Sequence, residues 1–100
     1  MVKHIVMWKL KESAHGNSKE RNAEIIKEKL ESLNGRIDGV IRIEVGIDFS
    51  RTESSFDVVL YSEFASRRDL DNYQEHPEHK GVLPFILEAR SGRLVVDYEV

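Results

Sequence analysis

The 100-residue sequence has no cysteine, which excludes disulfides, thiolate metal sites and a cysteine nucleophile. Basic charge is not in excess: 15 Lys and Arg stand against 18 Asp and Glu, for a net charge of −3. Without a basic field, neither nucleic acid nor an anionic membrane surface is expected as a partner. Lys27 and Lys29 lie among Glu24, Glu28 and Glu31, which reads as a solvated helix face. Long apolar runs are missing too. The opening MVKHIVMWKL is broken by Lys3 and Lys9 and is far too short to cross a bilayer. No small-residue cleavage site follows it, so a cytoplasmic location is expected. With two prolines and six glycines, no linker, repeat or low-complexity stretch is found, and residues 1–100 are expected to form one domain. A chain of this size buries roughly two-thirds of its unfolded surface, enough for one core.

Residues 2–10 read as a strand. Alternation puts His4, Val6, Trp8 and Leu10 on one face and Ile5 and Met7 on the other. Both faces are apolar at mid-strand, so something must cover each of them. Asn17 with Glu20 resembles a capping box, and a helix to about Asn34 follows, stopped by Gly35. Ala23, Ile26, Leu30 and Leu33 form its buried stripe. VIRIEVGID alternates, with Ile41, Ile43, Val45 and Ile47 on one face. SRTESS is a turn into FDVVLYSEF, where Phe56, Val58, Leu60 and Phe64 oppose Val59 and Tyr61. Ser66 and Asp69 start a second helix. It is interrupted at Pro77 and continues, kinked or in two pieces, to about Ala89, with Ser91-Gly92 as its end. RLVVDYEV closes the chain as a strand, with Leu94, Val96, Tyr98 and Val100 opposite Arg93, Asp97 and Glu99.

The order β-α-β-β-α-β predicts an α+β, ferredoxin-like fold: a four-stranded antiparallel sheet with both helices on one face. The other apolar face needs a cover, and a symmetric homodimer with two sheets face to face supplies one.

The dodecapeptide DNYQEHPEHKGV, residues 71–82, holds the chemistry-bearing residues. Helical spacing can bring Tyr73, His76 and His79 to one side if the break at Pro77 is mild. His4 starts the first strand on the face of Val6, Trp8 and Leu10. A pocket between helix and sheet is therefore predicted, with apolar walls and polar groups from His4, Tyr73, His76 and His79. Histidine can move a proton at neutral pH and a tyrosine hydroxyl can stabilise an oxyanion, which suits proton abstraction beside a carbonyl. Plainer readings stand beside this one. His76 can satisfy backbone groups at the break, His4 can be a packed strand-end histidine, Tyr73 and Trp8 can be core, and His15 solvated. His76 and His79 with Glu75 or Glu78 also have the donor types of a zinc site, but no metal and no cofactor are expected.

The opening VKHIVMWKLK, GVIRIEVGID, FDVVLYSEF, the L-D-N-Y-Q-E-H-P-E-H segment and the closing VVDYEV together resemble the stress-responsive α/β-barrel (Dabb) family over essentially the whole chain. The resemblance implies a homodimer with a central barrel and outer helices. It extends more distantly to the plant polyketide cyclase olivetolic acid cyclase, which performs an aldol cyclisation without a cofactor. That likeness implies His79 as general base, Tyr73 as its hydrogen-bonding and oxyanion partner, a pocket-lining His4, and a mostly structural His76. The first helix departs from the cyclase, offering Ala23, Ile26 and Leu30 where the cyclase has aromatics, and Trp8 narrows the strand wall. The reading that results is a dimeric barrel binding a small apolar or phenolic ligand, or alternatively a cofactor-independent cyclase or lyase.

Overall fold

In the computed structural model, which describes all 100 residues, VKHIVMWKL forms β1, Val2–Leu10, with the predicted facing. His4, Val6, Trp8 and Leu10 are buried, and Met7 points outward. A small hairpin with no counterpart in the sequence reading follows, β2 (Ser13–Ala14) and β3 (Asn17–Ser18). Its turn puts both His15 and Gly16 at positive φ, 55° and 72°, as a two-residue turn of this hand requires.

The first helix, α1, spans Lys19–Glu31. Its cap is Ser18, not Asn17: Ser18 Oγ accepts the Arg21 N–H at 3.2 Å. Asn17 is drawn into the hairpin ladder opposite Ala14, and its amide donates to Asn22. Ala23, Ile26, Leu30 and Leu33 are buried as expected. The helix ends three residues before Asn34, whose side chain is used elsewhere. Gly39, at φ 86°, turns the chain into β4, where a Cβ would run into the Asp69 side chain.

The strand β4, Val40–Ile47, departs from simple alternation. Its pairing slips between Val40 and Arg42, so Val40 packs on the core and Ile41 turns out. Ile43 and Val45 are buried, while Ile47 is exposed at the strand end. The next strand, β5, is Val58–Phe64 and starts two residues later than expected. Its inward row includes Ser62, fully buried, whose hydroxyl donates to the His4 carbonyl at 2.8 Å.

The second helical region has three pieces rather than two: α2 (Arg67–Glu75), α3 (Pro77–Lys80) and α4 (Leu83–Ala89). Ser66 caps α2 with Asp69, as read from the sequence. Ser91 and Gly92 do not end a helix; they belong to β6, Arg90–Glu99.

All four long strands are antiparallel in the order β4-β5-β1-β6, with the helices on one face, which is the predicted ferredoxin-like fold. Nineteen apolar residues form one core between sheet and helices. Each large aliphatic side chain buried there contributes about 1.5–3 kcal/mol. In β6 the apolar alternation points the other way: Leu94, Val96 and Tyr98 pair with Met7, Ile5 and Lys3 on the face without helices. Leu94 and Val96 are half exposed in the single chain. No helix is long and apolar enough to cross a membrane.

Candidate functional site

Four elements bring the site residues together. Tyr73 lies on the inner face of α2 and is 0% exposed. Its ring meets Phe64 of β5 at 5.1 Å and His79 of α3 at 4.3 Å, centroid to centroid. Phe64 in turn has the His4 ring of β1 at 6.4 Å, edge-on. His4, Phe64, Tyr73 and His79 thus form a continuous aromatic row from sheet to helix layer.

The Tyr73 hydroxyl is buried and has no hydrogen-bond partner. The expected Tyr73–His79 hydrogen bond is therefore not made; the two rings pack against each other at a tilt of 43° instead. Burial alone pushes the Tyr73 phenol far above its ordinary range, so it stays protonated. His79 Nδ1 lies 3.2 Å from the Gln74 carbonyl. A carbonyl only accepts, so Nδ1 carries the hydrogen and neutral His79 keeps a free lone pair on Nε2. Burial lowers the His79 pKa, the Gln74 bond opposes the shift, and the charge of His4 adds to it.

His76 is set apart from this row. Its Nδ1 accepts the Glu78 N–H at 3.1 Å and caps α3, the backbone role that the sequence left open. The two imidazoles of H-P-E-H thus serve different backbone groups. No cluster of three His, Asp or Glu side chains is placed to hold a metal ion. Val6 and Trp8 sit where expected, on the inner face of β1, packed within the core.

Side chains fill the space between helices and sheet. None of the five cavities in the structure is lined by His4, Val6, Trp8, Tyr73, His76 or His79. One cavity of about 360 Å³ does reach the partner of His4: it is lined by Val2, Arg67, Leu70, Asp71 and Asp97, among others. The Asp97 carboxylate is half exposed and pairs with buried His4 Nδ1. The sequence reading did not single out Asp97. Alternation set Asp97 opposite Leu94 and Val96, but its pairing with His4 comes from strand register.

The model of the stress responsive A/B barrel domain (Dabb) matches residues 2–100. The chain belongs to the Dabb family. A dimeric protein of unknown function from Bacteroides fragilis, also ferredoxin-like, is 35% identical over 99% of this Dabb chain and 95% of its own, with a TM-score of 0.87. A protein from Arabidopsis thaliana is 24% identical over 100% of this chain and 95% of its own, at 0.80. The hydroxynitrile lyase of Passiflora edulis shares the fold, with 19% identity over 99% of this chain and 92% of its own, at 0.80. None of the curated proteins matches the chain.

Proposed function

We propose that this Dabb chain acts as a homodimeric barrel that takes a small apolar or phenolic ligand between its helices and sheet, at Tyr73 and His79. The observation that carries this reading is the buried Tyr73 hydroxyl without a partner. An unmet buried donor costs about 1–3 kcal/mol, and a ligand oxygen beside it restores the bond. His79 and His4 supply further polar contacts, and Val6 and Trp8 supply the apolar wall. Since side chains fill this region in the free chain, ligand entry needs the helix layer to give. The four-residue α3 has no fully buried side chain, and such weakly anchored elements open at low free energy.

The homodimer rests on the helix-free face, where Ile5, Met7, Leu94, Val96 and Tyr98 form an apolar surface. Two such faces packed by a two-fold axis bury it and form the barrel. The dimeric Bacteroides fragilis relative supports this assembly. We place the protein in the cytoplasm and assign it no cofactor.

One observation favours a second reading, a cofactor-independent cyclase or lyase. His79 holds its hydrogen on Nδ1, and its lowered pKa leaves Nε2 unprotonated near neutral pH, the state that a general base needs. Tyr73 then faces a developing oxyanion. The fold-level likeness to a hydroxynitrile lyase is in keeping with it.

Native mass spectrometry with a panel of phenols and β-keto acids tests both readings. The binding reading expects a dimer that retains a panel compound, less so in His79→Ala. Conversion of a β-keto acid by wild type but not by His79→Ala selects the enzyme. A dimer blind to every compound overturns both, and a monomer overturns the assembly.

A further inference from the structure

We propose that His76 is the positioning residue for His79, and that its protonation releases α3 from the Tyr73 surface. The proposal adds regulation to the site described above, but its readout is structural. A failed ligand screen leaves it standing, and its own failure leaves the ligand reading untouched.

His76 joins two helices. Its backbone N–H closes α2 on the Tyr73 carbonyl at 3.1 Å, and its side chain opens α3 by accepting the Glu78 N–H. An amide N–H can only donate, so Nδ1 must be free of hydrogen and the imidazole neutral, with its proton on Nε2. Protonation turns Nδ1 into a donor facing a donor. The cap is then lost, and a positive charge stands at the start of the helix, the wrong end for it.

What the cap holds is small and consequential. The single turn Pro77–Lys80 is held by three backbone bonds, Lys80 N–H to His76 at 3.0 Å, Gly81 N–H to Pro77 at 2.9 Å and Val82 N–H to His79 at 3.0 Å. It has no fully buried side chain, yet it carries the partly buried His79 ring onto Tyr73. The ionisable groups around His76 are Glu75 on α2 and Glu78, His79 and Lys80 on α3. Glu88 is the sole ionisable residue of α4, which packs on α3, and it lies in the last turn. The exposed Glu75–Lys80 pair at 2.9 Å survives mild acid but adds little hold. At neutral pH α3 stays docked and His79 faces Tyr73; in mild acid the turn frees and exposes the site.

The test is an NMR titration of the full chain from about pH 8 to about pH 5, the range in which histidines titrate. It follows the imidazole of His76, the Glu78 amide, and the contacts between the His79 and Tyr73 rings. In wild type, the Glu78 amide should lose protection roughly fivefold as His76 titrates, the size of one lost cap. The His79–Tyr73 contacts should fade with the same midpoint. His76→Asn supplies a side-chain oxygen that accepts without titrating, so it should keep α3 docked across that range. His76→Ala should be undocked throughout. His79 titrates in every variant, so only the difference between wild type and His76→Asn reports the switch. Parallel behaviour of those two proteins overturns the proposal. So does a Glu78 amide that stays protected in wild type while His76 takes its proton, a result that needs no variant to fold.

Discussion

The Asn34 side chain grips the backbone of Ile43 on both sides: its Nδ2 donates to the Ile43 carbonyl at 2.8 Å and its Oδ1 accepts the Ile43 N–H at 2.8 Å. An amide stands in for a neighbouring strand. Two residues along, Glu31 accepts the Val45 N–H at 3.0 Å and Lys27 donates to the Val45 carbonyl at 2.6 Å, with the two side chains paired at 2.8 Å. The outer edge of β4 is thereby closed to strand addition.

Asn34→Ala reopens that edge. It should lower stability by about 1–3 kcal/mol, as two backbone groups lose their partner, and it should promote association at high concentration. Urea unfolding and light scattering check this; a midpoint within error of wild type contradicts it.

Tyr73→Phe should leave the free protein as stable as wild type or more so, by up to about 1–2 kcal/mol. The substitution keeps the packing on Phe64 and His79 and removes only a hydroxyl that has no partner. A loss of more than 1 kcal/mol by thermal melting, to the same order, means that the hydroxyl has an unseen partner.

His79 links stability to pH. Burial holds its folded pKa below the ordinary value of 6.5, so the unfolded chain takes the proton first as pH drops. The stability from this group is present above that value and lost as pH falls through the lowered folded one. The melting temperature should therefore decline on acidification, less steeply in His79→Gln. Equal slopes for the two proteins contradict the assignment.

The helix-free face gives a fourth prediction. Val96→Asp places a charge in the middle of the proposed dimer interface, and sedimentation should show a folded monomer where wild type is a dimer. An unchanged dimer puts the interface elsewhere.

The sequence made the fold legible because its long periodic segments agree with one topology. The inward row of β1, the stripe of α1 and the Ser66 cap all stand as read. What escaped depends on contacts between distant segments. Pairing with β5 displaces Ile41 by a bulge, the β2–β3 ladder takes Asn17 from its capping role, and β1 draws Ser91 and Gly92 into β6. For the site, spacing brought Tyr73 and His79 together but could not show that their rings pack at a tilt without a hydrogen bond. Nor could it show that His76 would be spent on a helix cap. The His4–Asp97 pair spans 93 positions and follows only from strand register.

The most direct test is the ligand-induced melting shift of wild type and Tyr73→Phe with the same phenolic panel. A compound at about 100 times its dissociation constant should stabilise wild type by about 2.7 kcal/mol. The same compound should do little for Tyr73→Phe, although that variant is at least as stable alone. Equal shifts in the two proteins, or none in wild type, contradict a ligand site at the Tyr73 hydroxyl.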